Sequence, residues 1–150
     1  MKVVIQRVSK ASVTIDDKKV ANIKKGLLIF LGIVNEDTQE DIDFLVRKTT
    51  NLRIFNDENE VMNESLKDVS GDVIVVSQFT LQASTKKGNR PSYIKAARPD
   101  IAIPLYESFK KRLQELLSKE VKSGEFGADM KVALINDGPV TITMDSHNKE

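Results

Sequence analysis

Leu27-Leu28-Ile29-Phe30-Leu31-Gly32-Ile33-Val34 is the stretch whose reading decides the fold. Almost every position is apolar, so neither face of a strand built from it is left for water. A short apolar run of this kind predicts a central strand covered on both faces. Gly32 interrupts it, and it is far shorter than the ~20 apolar residues that span a bilayer as a helix. A strand covered on both faces needs neighbours in its sheet and layers above and below, and the flanking sequence supplies both.

Toward the N-terminus, residues 2–8 and 11–15 alternate apolar and polar positions as two half-buried strands do. Asp16-Asp17-Lys18-Lys19 reads as a turn, and 20–24 as a short return strand. Toward the C-terminus, Asp37 followed by Glu40 resembles a helix N-cap with its reciprocal partner. Ile42, Leu45, Val46 and Thr49 then recur at helical spacing, which predicts an amphipathic helix over 38–51. Residues 53–55 read as a short strand before the polar turn 56–60. Gly71 and Asp72 introduce a second buried strand, 73–76, and 83–100 is a long basic loop punctuated by glycine and proline. A second helix carries Leu105, Phe109, Leu113, Leu116 and Leu117 on one face, with Pro104 in its first turn, where a missing N–H costs little. After Gly124 and Gly127, strands 130–135 and 140–144 flank Asn136-Asp137-Gly138-Pro139, and the polar tail 146–150 reads as frayed. The pattern is α+β: one strand-rich domain over 1–150, mainly antiparallel, with two principal helices.

Composition removes several chemistries. The 150 residues contain no cysteine, which excludes disulfides, thiolate metal sites and cysteine nucleophiles. The formal net charge is +1, so any polynucleotide partner is gripped locally rather than by an overall field. Met1 leads straight into a strand-like run without the basic and apolar regions of a secretory signal, which reads as cytoplasmic. The only histidine, His147, lies in the polar tail, where nothing in the sequence orients it, so a Ser-His-Asp triad is not expected. No ligand spacing for zinc, no phosphate loop and no dinucleotide fingerprint is present, and the expectation is no metal and no cofactor. Hydrolysis by this chain must therefore use backbone groups, hydroxyls, amides or the substrate itself.

Two segments remain. Ser77-Gln78-Phe79-Thr80-Leu81 follows the buried run 73–76, where chain leaving a strand can aim N–H groups and small polar side chains into a pocket. The alternative is a polar strand end whose hydroxyls satisfy local backbone. Asn136-Asp137-Gly138-Pro139 reads first as a hairpin turn, since Asp-Gly and Gly-Pro are strong turn signals. Were the Gly-Pro bond cis, its neighbouring carbonyls could form an acceptor pair for an ammonium group, which recognises but cannot act as a base.

Together these segments resemble the D-aminoacyl-tRNA deacylase family. The resemblance spans nearly the whole chain: Val4-Ile5-Gln6-Arg7-Val8, Gly88-Asn89-Arg90-Pro91-Ser92-Tyr93, Phe126-Gly127-Ala128-Asp129-Met130 and Asn136-Asp137-Gly138-Pro139-Val140-Thr141 occur in order. It implies hydrolysis of the D-aminoacyl-tRNA ester by a homodimer. It also implies that Gly138-Pro139 is cis and enters the partner's active site, where its carbonyls hold the substrate's α-amino group and its bulk excludes an L side chain. Ser77 lines the ester, and Gln78, Phe79 and Thr80 carry the catalytic stretch, with backbone N–H groups around Phe79 stabilising the oxyanion. Thr80 stands either as nucleophile or as a pocket hydroxyl. Arg7 supports the Gly-Pro loop, with Asn136 beside it. A related branch, more tolerant of L-amino acids, differs in this segment, and Ser77 to Leu81 sides with the D-specific one.

On the residues alone, Lys86, Lys87, Arg90, Lys95 and Arg98 suit phosphates of the tRNA acceptor end, or form a solvated basic loop. Lys110, Lys111 and Arg112 read as the wet face of the second helix. A non-catalytic RNA-binding module is the alternative from another class, disfavoured by balanced charge, no tryptophan and 5% aromatics. A small-molecule esterase or amidase is another, and a purely structural protein would leave both segments idle.

Overall fold

In the computed structural model, which describes residues 1–149, Lys2–Ile15 form one continuous strand, β1. The sequence suggests a break after Val8. The structure instead changes partners there: residues 2–8 pair with β3 (Gly26–Gly32) and residues 11–15 with β2 (Lys18–Ile23), both antiparallel. Asp16 and Asp17 turn the chain between β1 and β2 with φ of 47° and 61°, a left-handed pair that Asp tolerates better than most residues.

β3 is the central strand its sequence predicts. Leu27, Ile29 and Leu31 face a core shared with both helices, while Leu28 faces a second core with Val8, Val13, Ile23, Ile74 and Val76. Each such fully buried side chain contributes roughly 1.5–3 kcal/mol relative to exposure. On its other side β3 pairs in parallel with β6 (Asp72–Ser77), which pairs in parallel with β7 (Lys122–Ser123). The pairing is mainly antiparallel, as the sequence predicts, in β1–β2, β1–β3, the pairing of β1 with the C-terminal strand and the hairpin that follows α1, with a parallel stretch from β3 through β6 to β7. Parallel neighbours demand a crossover. Here it carries α1 (Gln39–Asn51) and a hairpin of β4 (Arg53–Asn56) and β5 (Met62–Ser65).

The cap of α1 sits one residue beyond the predicted one. Thr38 and Asp41 form the capping box, with the Thr38 N–H donating to Asp41 Oδ2 at 2.8 Å. Asp37 is occupied elsewhere: its carboxylate accepts the Val34 N–H at 2.8 Å and meets the Met1 amino group. α2 (Pro99–Leu117) opens on Pro99, so Pro104 lies inside the helix and not in its first turn. Ala102, Tyr106, Phe109 and Leu113 form its buried face, and the Tyr106 hydroxyl donates to the Val75 carbonyl at 3.0 Å. Leu105, Leu116 and Leu117 are only partly buried.

The largest departure concerns the C-terminal strands. Residues 131–145 are not a hairpin but one strand, β8 (Lys131–Asp145), which runs antiparallel to β1 along nearly all its length. Nor is the tail frayed where it is described. Ser146 is buried, its N–H donates to the Met1 carbonyl at 2.9 Å, and His147 Nε2 lies 2.7 Å from Asp37 Oδ1. Among the described residues, no helix is long and apolar enough to cross a membrane.

Candidate active site

The site begins where β6 ends. The Gln78 N–H donates to the Leu31 carbonyl at 2.8 Å, the last bond tying this strand to β3. Phe79–Gln82 then coil into a 3-10 turn, stapled by Leu81 N–H to Gln78 O at 3.2 Å and Ala83 N–H to Thr80 O at 3.1 Å. The turn sits directly on the end of β3: Gln82 Nε2 donates to the Gly32 carbonyl at 2.9 Å. A Cβ at position 32 would lie 2.8 Å from Leu81 Cβ and 3.0 Å from Gln78 O, so the glycine that interrupts the apolar run is the seat of the site.

The first N–H groups of a helical turn have no acceptor within it. Phe79 and Thr80 occupy those positions, whereas the Gln78 N–H is already used. The N–H groups around Phe79 left without an acceptor in the turn are therefore those of Phe79 and Thr80. The Gln78 side chain is engaged too: Nε2 donates to Thr80 Oγ1 at 2.5 Å, leaving the Thr80 hydroxyl hydrogen to be donated elsewhere. No basic side chain is hydrogen-bonded to that hydroxyl among the described residues.

Ser77, Gln78 and Phe79 line a cleft of about 240 Å³ together with Val76, Phe126, Ala128 and Met130. Phe126 to Met130 carry no site role in the sequence reading, although they form part of the resemblance; that motif was the available signal. A larger groove of about 560 Å³ lies between β8 and α1, lined by Val4, Phe44, Leu52, Ile142 and Met144 among others. It meets the 3-10 turn only through Leu81, so the smaller cleft is the better candidate for chemistry.

Gly138 and Pro139 do not line that cleft. In the β1–β8 ladder Gln6 pairs with Thr141 and Val8 with Asn136, so residues 137–140 bulge out opposite Arg7. The Gly138-Pro139 peptide is cis, as the resemblance implies, and Gly138 has φ of +132°. Arg7, only 7% exposed, braces the bulge: its Nε donates to the Asp137 carbonyl at 2.8 Å. Its Nη1 donates to the Ile54 carbonyl at 2.6 Å and to Asn56 Oδ1 at 3.2 Å. Asn136 closes the bulge from inside, accepting the Val140 N–H at 2.9 Å and donating to Thr141 Oγ1 at 2.8 Å. Arg7 and Asn136, the two residues expected to support the Gly-Pro loop, both hydrogen-bond within or against the bulge. Asn56 was missed because no local motif marks it.

The basic loop is pinned at its base by reciprocal Ser84–Ser92 backbone bonds of 2.8 and 2.9 Å. Lys86, Lys87 and Arg90 are exposed and form no ion pair among the described residues, and no acidic residue occurs between Asp72 and Asp100. Arg98 pairs with Asp100 at 3.7 Å. Tyr93 stacks edge-on against Phe79 at 5.0 Å, joining the loop to the site.

One cluster contradicts the expectation that nothing orients His147 and that no potential ligands gather. Asp37, Asp41 and His147 converge. Their groups are engaged with one another and with the Met1 amino group, Val34, Ser146 and Thr38, which makes the cluster an anchor for the chain ends. Burial opposes ionisation of Asp41, but hydrogen bonds from Ser146 and Thr38 outweigh it and hold its carboxyl below the ordinary range.

Comparison with known proteins points one way. The family model for D-Tyr-tRNA(Tyr) deacylase matches residues 4–145. The D-aminoacyl-tRNA deacylase of Flavobacterium psychrophilum is 70% identical over 150 residues, and that of Bacteroides fragilis (strain YCH46) 65%, each covering 100% of both chains. Among solved structures, one titled c-Myc DNA Unwinding Element Binding Protein superposes with a TM-score of 0.92 at 41% identity, over 97% of this chain and 98% of that one. A probable eukaryotic D-amino acid tRNA deacylase shares the fold, with a TM-score of 0.83 at 17% identity over 95% and 97%.

Proposed function

This chain belongs to the D-Tyr-tRNA(Tyr) deacylase family, hydrolases of aminoacyl-tRNA, and from that premise we propose that it cleaves D-aminoacyl-tRNA by backbone catalysis within a homodimer. The observation that carries this reading is the pairing of two features. A cleft beside unengaged N–H groups lies at Ser77 to Thr80, and a braced carbonyl-bearing bulge lies outside that cleft.

The cleft receives the terminal adenosine, which brings the ester carbonyl to the Phe79 and Thr80 N–H groups. Water adds to that carbonyl, the oxyanion is held by the two donors, and the bond to the ribose oxygen breaks as that oxygen takes a proton. Products are the free amino acid and tRNA. Each oxyanion donor is worth about 2.7–4 kcal/mol in other hydrolases, enough to matter for an ester that is already activated. The neighbouring ribose 2′-OH positions the water, which supplies what the missing general base does not. Thr80, with its oxygen accepting from Gln78 and no base to take its proton, orients the ester or the water.

Gly138 and Pro139 act on the other protomer. Among the described residues, β8 presents an outer edge with no partner strand, and its Ile142 and Met144 line the open groove beside it. An unpaired edge of this length invites a second strand, and a second copy places each bulge against the neighbouring cleft. The bulge's carbonyls accept the substrate's α-amino hydrogens. With amino group and carbonyl both fixed, inverting the α-carbon drives an L side chain into the backbone wall. Glycine meets no such wall, so glycyl-tRNA is also cleaved. Lys86, Lys87 and Arg90 take acceptor-stem phosphates, and the setting is the cytoplasm, where tRNA is charged.

The test is deacylation of D-tyrosyl-tRNA and L-tyrosyl-tRNA in parallel, with chelator present, alongside sedimentation of the protein. Loss of the D-ester alone, from a dimer, supports the reading. Equal loss of both esters refutes the stereochemical part, and a monomer with full activity refutes the exchanged bulge.

A further inference from the structure

Nothing in the catalytic reading uses the β4–β5 hairpin, yet two of the three hydrogen-bond acceptors around the Arg7 guanidinium come from it. We propose that Asn56, at the end of β4, is a positioning residue that sets the Gly138-Pro139 bulge through Arg7. The inference deepens the proposed D-specific reading and rests on it.

Arg7 is buried and, among the described residues, meets only one carboxylate, that of Asp137, at 3.8 Å with the acid 55% exposed. Its direction is therefore chosen by neutral acceptors: the Asp137 carbonyl on the bulge side, the Ile54 carbonyl and Asn56 Oδ1 on the hairpin side. A guanidinium offers its donors in a rigid planar fork, so fixing one edge on the hairpin fixes where the other edge meets the bulge. The fit is close, since a Cβ on Gly138 would lie 2.8 Å from Arg7 Nη2. A shift of the fork by a few tenths of an ångström is passed to the wall.

Asn56 is itself oriented. Its Nδ2 donates to Glu60 Oε2 at 3.1 Å, which selects the amide rotamer whose oxygen faces Arg7. The flipped amide would set hydrogens against a cation. Glu60, with φ of 60°, is held in place by the Asp57 turn, in which Oδ1 of Asp57 accepts the N–H groups of Asn59 at 2.8 Å and Val61 at 3.1 Å. The line of contacts runs from that turn through Glu60, Asn56 and Arg7 to Asp137.

The experiment uses the full-length dimer and measures single-turnover deacylation of D- and L-tyrosyl-tRNA by Asn56→Ala, Asn56→Asp and Glu60→Ala. In Asn56→Ala the ratio of D to L rates falls about tenfold, equivalent to ~1.4 kcal/mol, mainly through faster loss of the L-ester. In Asn56→Asp an acceptor oxygen remains, and the ratio returns to within about twofold of the parent. The Arg7 Nε–H resonance in ¹⁵N spectra shifts in the alanine variant and not in the aspartate one. Glu60→Ala, which leaves every Arg7 contact intact but frees the amide to flip, lowers the ratio by a smaller factor. A folded Asn56→Ala dimer with parental selectivity and an unmoved Arg7 resonance overturns the proposal. Should that variant not fold, parental selectivity in Glu60→Ala does so. If the parent enzyme shows no preference for the D-ester, the proposed function fails instead, and the Arg7 resonance alone then tests the line of contacts.

Discussion

Substituting Gly138 by alanine probes how much the bulge tolerates. At φ of +132° the residue occupies backbone space that essentially only glycine uses, and strain there costs about 1–3 kcal/mol. The reduced freedom of an unfolded alanine returns about 0.4–1 kcal/mol. The new Cβ also meets Arg7 Nη2 at 2.8 Å, Val140 Cγ2 at 2.9 Å and Val140 N at 3.2 Å. None of these gives way cheaply, because the guanidinium is held by Asp137, Ile54 and Asn56, and the Val140 N–H by Asn136. The net loss is about 1–2 kcal/mol, and at roughly 2–4 °C per kcal/mol in a chain of this size, Tm falls by several degrees. The function suffers more than the fold, since a wall displaced by even an ångström can cost ~10²-fold in a positioned reaction. At fixed protein concentration we expect the Tm loss together with at least a tenfold fall in the ratio of D- to L-tyrosyl-tRNA hydrolysis. A Gly138→Ala protein with Tm within a degree of the parent and unchanged selectivity would refute the claim that the bulge is both tightly held and the stereochemical wall.

Replacing Thr80 by alanine lowers the single-turnover rate by about tenfold, and the parent enzyme accumulates no acyl-Thr80 in mass spectra; a loss of ~10⁴-fold in the variant, or a trapped acyl-Thr80 in the parent, would make it the nucleophile. Removing Lys86, Lys87 and Arg90 together weakens kcat/KM and flattens its dependence on salt by about one unit of log–log slope for each phosphate no longer neutralised, while hydrolysis of a free D-amino-acid ester is unaffected. An unaltered slope would return the loop to being merely solvated. Burial pushes the Tyr106 phenol up to about 12 despite the hydrogen bond from Ser123. Because the folded value is the raised one, this contribution is complete below pH 10 and lost as pH climbs toward 12, with a ceiling of about 3 kcal/mol. Urea unfolding at pH 9, 10 and 11 follows that decline, and Tyr106→Phe removes it; equal decline in both proteins would assign the effect elsewhere.

The central strand was legible because burial on two faces leaves an unmistakable pattern in Leu27 to Leu31. Which strands pair with it was not, since an apolar run carries no mark of parallel or antiparallel neighbours. Asp37 shows the limit for capping: it directly precedes Thr38, but its carboxylate is taken by the Val34 N–H and the Met1 amino group, so the cap falls to Thr38. His147 reads as unsupported in the sequence because its partner Asp37 lies 110 positions away.

The bulge is the instructive case. Asp-Gly and Gly-Pro do signal a turn, and the chain does depart from its course there, but Arg7 converts the departure into a bulge within one strand. A hairpin would have consumed the turn's carbonyls in closing itself and folded β8 back on its own edge. Because both halves of β8 instead pair with β1, its other edge has no partner strand among the described residues. The turn at Phe79 and Thr80 carries donors without acceptors, and in the proposed dimer the bulge supplies the backbone acceptors. Neither can bind an amino ester alone, and an α-ammonium beside an ester carbonyl needs both. The same buried arginine that made the local sequence misleading is thus the brace on which the proposed exchange with a second copy depends.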